Sequence, residues 1–212
     1  MKKFKVLNLY AGIGGNRKHW KNVEVTAVEN NQEIADVYKE LHPNDTVVVA
    51  DASKYLAKKW REYDFIWASP SCQSHSRVRM MASKGGSYDA IMPDMNLWAE
   101  ITFLQNFTKN TSVKFVVENV NPYYKPFIEP TAKIGRHLFW ANFDIPTIEI
   151  KDGLTHNERG TSDKGYFDLR PYKMKHRKDQ VIRNCVDPNV GDYVLKCAMV
   201  NQKNHIAQQR LF

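Results

Sequence analysis

The alternation of short apolar runs with helical stretches over the first two-thirds of this 212-residue sequence constrains its fold more than any other feature. Residues 5–10, 23–28, 46–49, 64–68 and 114–117 are rich in Val, Ile and Phe and are bounded by polar or glycine-containing turns, the pattern of buried strands. Between them, residues 32–41 carry Ile34, Ala35, Val37, Tyr38 and Leu41 at helical spacing, and Pro93 and Asp94 open a second helix running to about residue 109. Parallel strands are joined only through crossovers, so strand alternating with helix predicts an α/β fold with a doubly wound parallel sheet.

Apolar residues make up 42% of the chain, enough for one substantial core, and the length favours one domain. A formal net charge of +8 sets up a field attractive to a polyanion, of which nucleic acid is the commonest, although such charge also serves ordinary solubility. Cys72, Cys185 and Cys197 form no Cys-x-x-Cys pair, which argues against a disulfide framework or a structural zinc site and for a reducing compartment. The first residues run into a strand without the apolar stretch of a signal peptide, and no run is long enough to span a bilayer. The expected location is therefore cytoplasmic, with no membrane partner.

Two regions lose the pattern. Between His75 and Met92, Arg77, Arg79, Lys84, Gly85, Gly86 and Ser87 make a basic stretch without periodicity, read as a mobile loop of the lid or binding type. Beyond Asp144, residues 153–165 are polar and turn-rich. Arg170, Lys173, Lys175, Arg177, Lys178 and Arg183 then lie close to Tyr166, Phe167 and Tyr172. That mixture suits phosphate contacts with base stacking, and a solvated charged face explains it equally well.

Ligands of open parallel sheets bind beyond the carboxyl ends of the strands. The first strand is followed by Ala11-Gly12-Ile13-Gly14-Gly15, whose glycines permit close backbone approach. The second ends at Glu29-Asn30, where an acidic side chain can accept from both ribose hydroxyls, and the third at Asp51-Ala52. A glycine loop with one acid is shared by nicotinamide, flavin and S-adenosylmethionine enzymes. Asp51 serves equally as acceptor for an adenine amino group or as N-cap of a helix starting near Ser53.

The fourth strand is more specific, because it ends in Ser69-Pro70-Ser71-Cys72-Gln73-Ser74-His75-Ser76 and so puts a cysteine on a proline-containing turn at the ligand edge. The fifth ends in Glu118-Asn119-Val120, bringing a carboxyl group to the same edge, where it can pair with the cysteine as acid with nucleophile. Asn119, Gln73 and Asn184 brace turns as readily as they touch a ligand. His19, His42, His137, His156, His176 and His205 lack metal-ligand spacing, and Trp20, Trp67 and Trp98 read as core.

Taken in order, these motifs resemble the DNA cytosine-5 methyltransferase family. Leu9-Tyr10-Ala11-Gly12-Ile13-Gly14-Gly15 resembles its cofactor loop, with Tyr10 where an aromatic, usually Phe, packs on the adenine, and Glu29 and Asp51 fall at its ribose and adenine positions. Pro70-Ser71-Cys72-Gln73 resembles its Pro-Cys-Gln motif, and Glu118-Asn119-Val120 matches its Glu-Asn-Val motif. Arg183-Asn184-Cys185-Val186-Asp187-Pro188 resembles the Gly-Asn-x-Val-x-Pro element that returns to the cofactor site.

The resemblance implies a Rossmann-like methyltransferase sheet and an enzyme that uses S-adenosylmethionine, releases S-adenosylhomocysteine and needs no metal. Cys72 is the implied nucleophile at C6 of cytosine, Glu118 the group at N3, and Arg136 the candidate for O2. Tyr10, Ala11, Gly12, Gly14, Gly15, Glu29, Asn30, Asp51, Ala52, Pro70 and Asn184 make the candidate cofactor set. DNA is the implied partner, its target base flipped out or already single-stranded. Gln73, Ser76, Arg77, Arg79, Lys84, Asn119, Lys173, Lys175 and Arg177 are the candidates to contact it.

The chain departs from the family at Ser71, which stands where a proline usually precedes the nucleophile, and at Ala68, which replaces a common glycine. Only about thirty-five residues stand where the family has a sizeable target-recognition domain, too few for an independent unit. The expected organisation is a cofactor-binding core over 1–143, a reduced basic recognition segment over 144–180 and an element returning to the core over 181–212. Target recognition is then short and relaxed, carried by the basic segment, or supplied by a protein partner of a monomer or weak dimer. Such compactness suits phage or mobile-element DNA modification. The competing readings are an oxidoreductase, which leaves Cys72 and Glu118 unexplained, a catalytically silent nucleic-acid-binding homologue, an RNA cytosine-5 methyltransferase, and transfer of a group other than methyl.

Overall fold

The computed structural model of the chain describes residues 3–148 and 166–209. Seven strands among them form one sheet in the order β3-β2-β1-β4-β5-β7-β6. They are β1 Phe4–Leu9, β2 Val23–Glu29, β3 Thr46–Val49, β4 Phe65–Ala68, β5 Lys114–Val120, β6 Ala132–Ile134 and β7 His137–Ala141. The first five pair in parallel, as the alternating pattern predicts, while β7 runs antiparallel to both β5 and β6. The sheet is therefore mixed rather than wholly parallel. The reason is local: β6 and β7 are joined by the two-residue turn Gly135-Arg136, with Gly135 at φ +56°, and a tight hairpin makes only antiparallel neighbours.

Six α-helices among the described residues accompany the sheet: α1 Gln32–Leu41, α2 Ala52–Lys59, α3 Arg77–Lys84, α4 Asn96–Phe107, α5 Lys178–Arg183 and α6 Pro188–Gln209. Strand alternation decides which face each covers. Leu7, Leu9, Ile66, Phe115, Val117 and Trp140 point to the side closed by Leu56 of α2 and by Leu97, Ile101 and Leu104 of α4. Val6, Phe65, Trp67, Val116 and Phe139 point the other way, against Val190, Val194 and Leu195 of α6, and Tyr38 of α1 packs with Ala27 on that second side. Each such large side chain withdrawn from water contributes about 1.5–3 kcal/mol, so period-two patterning alone drives the double winding. No helix of the described residues is long and apolar enough to cross a membrane.

The segment between His75 and Met92 is not an open loop, because α3 occupies its centre. The Ser76 hydroxyl caps α3 by accepting from the Arg79 N–H at 3.4 Å, and Gly85 follows its last residue. None of its side chains is buried, so it carries no apolar stripe for periodicity to detect.

Within the expected recognition segment, residues 149–165 lie outside the described residues. Residues 166–180 pack on α1: the Lys175 N–H donates to Glu33 Oε1 at 2.6 Å, and His176 Nδ1 lies 2.8 Å from Glu33 Oε2. Phe167 is buried with Leu169 against Val37, Val181 and Ile182, which corrects its reading as a base-stacking residue. The chain beyond residue 181 joins the main core through Val186 and Val190. Here α6 comes so close to the loop after β1 that a Cβ on Gly191 would lie 2.1 Å from the Asn16 carbonyl oxygen, and Trp20 Nε1 donates to the Gly191 carbonyl at 2.9 Å. Gly191→Ala should therefore lower stability by about 1–3 kcal/mol in denaturant unfolding. Gly85→Ala, whose added carbon would come no nearer than 3.6 Å to the Ala82 and Met81 carbonyl oxygens, should leave the midpoint unchanged. Equal midpoints for the two variants would contradict the close approach.

Candidate active site

Strand order reverses between β1 and β4, because the chain winds outward from β1 through β2 to β3 and then returns to the other side of β1. The crevice beyond the carboxyl ends of these two strands is the switch point where ligands of such sheets bind. Residues 10–16 rise from one side of it and residues 69–76 from the other.

The loop after β1 takes three left-handed residues, Tyr10 at φ +55°, Gly12 at +54° and Gly14 at +80°. A Cβ on Gly12 would meet nothing within 4 Å, so its backbone faces open space at the strand ends. Gly14 and Gly15 face inward instead: added carbons there would strike His42 at 2.4 Å and Cys185 at 2.6 Å. Glycine at these two candidate cofactor positions is thus demanded by packing, and the Gly15 contact brings Asn184-Cys185-Val186 to the loop as the sequence motif implies. Asn184 itself is exposed at the end of α5. Beneath the loop, Asn16 Nδ2 donates to Asn8 Oδ1 at 2.8 Å inside the protein.

Glu29 closes the loop from β2. Its Oε2 accepts from the Gly12 N–H at 3.0 Å and its Oε1 from the Asn31 N–H at 2.9 Å. A carboxylate has about four acceptor sites, so two remain for a diol. Asn30 is exposed beside it, and Ala52 is buried at the start of α2. Asp51 is exposed, and its Oδ1 caps α2 by accepting from the Lys54 N–H at 2.8 Å, so the capping alternative is realised. Tyr10 is tethered through its hydroxyl, which donates to Glu100 Oε1 and lies 3.0 Å from Ser53 Oγ. Burial, and secondarily the charge of Glu100, push that hydroxyl far above its ordinary pKa, so it remains a donor. Sequence reasoning missed Glu100, although the signal existed: a carboxylate on the apolar stripe of Leu97, Ile101 and Leu104.

Across the crevice, Cys72 sits half-buried on the turn after β4, and its carbonyl accepts from the N–H groups of His75 and Ser76, each at 3.0 Å. Pro70 before it is buried, and its carbonyl accepts from Asn119 Nδ2 at 2.9 Å. Asn119 is 1% exposed and its Oδ1 accepts from the Val120 N–H, so it braces the turn from within rather than facing nucleic acid. Glu118, at the end of β5, is buried. Burial raises the Cys72 pKa most and the Glu118 charge raises it further, while the residue's own N–H and the Arg136 guanidinium oppose them. Glu118 and Arg136 thus act on the Cys72 thiol in opposite directions.

Arg136 arrives there because the β6–β7 hairpin turn places it beside the end of β5, where its carbonyl accepts from the Asn121 N–H at 3.0 Å. Two histidines stand near these residues, His137 without metal-ligand spacing in the sequence and His75 notable there for its proximity to Cys72. His137 Nε2 is 3.7 Å from Glu118 Oε1, and fully buried His75 has its Nδ1 2.6 Å from the Tyr124 hydroxyl. Burial lowers the His75 pKa, favouring the neutral ring.

The candidates for nucleic-acid contact divide. Gln73, Arg77 and Lys84 are exposed, Arg77 Nε donating to the Pro122 carbonyl at 3.0 Å, and the Arg79 guanidinium lies over the Tyr88 ring at 4.7 Å. Ser76 is engaged as the cap of α3. Lys173 and Lys175 are exposed, whereas Arg177 is paired with Asp179 at 2.9 Å.

Because the Cys72 thiol is held above its ordinary range, its alkylation by iodoacetamide should be slow at neutral pH and should climb about tenfold per pH unit until the thiol ionises. Glu118→Gln removes a charge that raises the thiol and should speed alkylation at a given pH. Arg136→Ala should slow it. Mass measurement of the Cys72 peptide separates it from Cys197, and a rate indifferent to both substitutions would contradict the arrangement.

Comparison with known proteins leads to the same family. The C-5 cytosine-specific DNA methylase family matches residues 4–126. Among solved structures, a mutant DNMT2 of Spodoptera frugiperda is similar at 25% identity and TM-score 0.41, over 58% of this chain and 38% of that one. A SAM-dependent methyltransferase of Agrobacterium tumefaciens gives 16% and 0.39, over 58% and 40%, and the methyltransferase EhMeth of Entamoeba histolytica 18% and 0.37, over 57% and 39%. The matched part of this chain therefore spans about two-fifths of the length of these proteins. No curated protein matches it. The span matched by the family runs from β1 through β5 and contains the glycine loop, Glu29, Cys72 and Glu118, and the chain belongs to the C-5 cytosine-specific DNA methylase family.

Proposed function

We propose that this chain transfers a methyl group from S-adenosylmethionine to C5 of cytosine in DNA, through a covalent adduct with Cys72. The observation that carries the reading is the placement of Cys72 after β4, Glu118 near the end of β5 and Arg136 in the β6–β7 turn, which the Asn121 N–H holds against the end of β5. The loop side fits a nucleoside: the open backbone at Gly12 and the unused acceptor capacity of Glu29 suit a ribose, and Tyr10 offers an aromatic face. S-adenosylmethionine, when bound, supplies an electrophilic methyl group and leaves as S-adenosylhomocysteine.

Cytosine C5 is a weak nucleophile, and Cys72 remedies this by forming a bond from its thiolate to C6. Electron density then accumulates at N3 and O2. A proton shared between Glu118 and N3 offsets the first, and the Arg136 guanidinium at O2 the second. Once C5 carries the methyl group, transfer of the C5 proton to water and cleavage of the C6–S bond return the Cys72 thiolate and restore the aromatic ring. Reaching C6 requires the base outside the stack, and α3 lies immediately after Cys72 with Arg77 and Lys84 exposed.

On this reading residues 1–143 are the catalytic core, 144–180 a reduced recognition segment that a protein partner supplements, and 181–212 the closing element. A reducing cytoplasm suits the free Cys72 thiol.

Incubation with tritiated S-adenosylmethionine and mixed DNA, then RNA, followed by nucleoside digestion, tests the chemistry. Label is expected in 5-methyl-deoxycytidine, and Cys72→Ser should abolish it while still binding cofactor. Label confined to RNA would move the reading to an RNA substrate, and absence of label with cofactor bound would leave a silent homologue. Replacing Arg77, Arg79 and Lys84 by Gln should flatten the dependence of log affinity on log salt by about 0.9 for each phosphate that is no longer neutralised. An unaltered slope would remove α3 from the interface.

A further inference from the structure

The cofactor mouth contains a buried acceptor that the proposed chemistry does not use. Glu100 is 4% exposed on the inner face of α4, among Leu97, Ile101 and Leu104. A carboxylate in such surroundings is costly unless its oxygens are satisfied. Oε1 is satisfied twice, by the Tyr10 hydroxyl and by Ser53 Oγ at 2.5 Å, whereas Oε2 is buried with no hydrogen-bond partner.

The two donors locate the carboxylate. Tyr10 is the first residue after β1, and Ser53 follows the end of β3, so Glu100 bridges the two segments that flank Glu29 at the end of β2. A nucleoside whose ribose reaches Glu29 would bring its base between them. The other acid at this edge, Asp51, is exposed and already caps α2. The family resemblance puts a ring without a hydroxyl at the Tyr10 position, so the tether from Tyr10 to Glu100 belongs to this chain's own residue choice.

We infer that Glu100 sets the base specificity of the cofactor pocket, with Oε2 accepting a hydrogen bond from the exocyclic amino group of adenine while Oε1 holds Tyr10 and Ser53. This rests on the cofactor reading proposed above. Adenine supplies the donor that Oε2 lacks. Hypoxanthine, with a carbonyl at that position, would set oxygen against oxygen and leave both unsatisfied.

Isothermal titration of the protein with S-adenosylhomocysteine and with its inosine counterpart reads the effect without turnover. The wild type should prefer the adenine form by about tenfold or more. In Glu100→Gln the amide presents N–H donors, so the preference should fall to near unity or reverse. Tyr10→Phe, which removes a donor but not the acceptor, should weaken both ligands and keep the ratio. Should Glu100→Gln fail to fold, as judged by thermal unfolding, Glu100→Asp withdraws the oxygens while keeping the charge and should reduce the same ratio. A wild-type preference that survives the Glu100 substitutions, or that disappears instead in Asp51→Asn, overturns the inference and leaves the cofactor reading standing. Failure of the wild type to bind S-adenosylhomocysteine at all overturns both.

Discussion

The ligand edge of this fold depends on how firmly the segment after β1 is held. Tyr10, Gly12 and Gly14 all take left-handed backbone conformations, and for the tyrosine that conformation costs about 1–2 kcal/mol. The loop keeps this shape because it is fixed from several directions. Asn16 pairs with Asn8 below it, Glu29 accepts from Gly12 beside it, and Gly191 of α6 presses against Asn16 from the opposite layer. Arg17, just beyond, grips buried Asp45 with two hydrogen bonds of 2.7 and 2.9 Å, and Tyr38 of α1 donates to the same carboxylate at 2.8 Å. A floor so constrained can hold open backbone at Gly12 without collapsing onto it.

Charge is distributed to the same end. The net charge of +8 invites the picture of one basic face, yet several of the cations near the C-terminus are neutralised locally: Arg170 by Asp168, and Arg177 and Arg183 by Asp179. These hydrogen-bonded arginines hold the carboxylates of Asp168 and Asp179 down at about 2. Such exposed pairs are worth little in stability, but they remove charge from any interface that needs it free. Exposed cations without that compensation are found on α3, beside Cys72, where Arg77 and Lys84 form no ion pair among the described residues. Thus the part of the chain that looked most basic in sequence contributes less open positive charge than its composition suggests, and α3 adds exposed cations directly beside Cys72.

Much of this was legible from the residues. All five parallel strands and the helix over Gln32–Leu41 followed from periodicity, because each buries one face and must repeat accordingly. The strand-end rule singled out Glu29, Cys72 and Glu118, which the sheet brings to one edge. What escaped had physical reasons. Helix α3 buries nothing, so no stripe marks it, and the antiparallel turn at Gly135-Arg136 depends on one backbone dihedral. Asn119 read equally as a brace or a ligand contact, and only its burial and its bonds to Pro70 and Val120 mark it as a brace. Glu100 escaped because a single acid on an apolar stripe reads as noise until its partners, at positions 10 and 53, are brought to it by the sheet.

The environment of Cys72 also bears on how the proposed nucleophile is both protected and competent. Burial and the Glu118 carboxylate keep the thiol protonated in the free protein, which limits oxidation and stray alkylation. Under the proposed chemistry, a proton taken up from water and shared between Glu118 and cytosine N3 offsets the very charge that raises the thiol pKa. The Arg136 guanidinium, which already lowers it, is then opposed by burial alone. On that chemistry, binding of the base is coupled to thiolate formation: the group proposed to act at N3 is also the group that holds the sulfur in check until N3 is present.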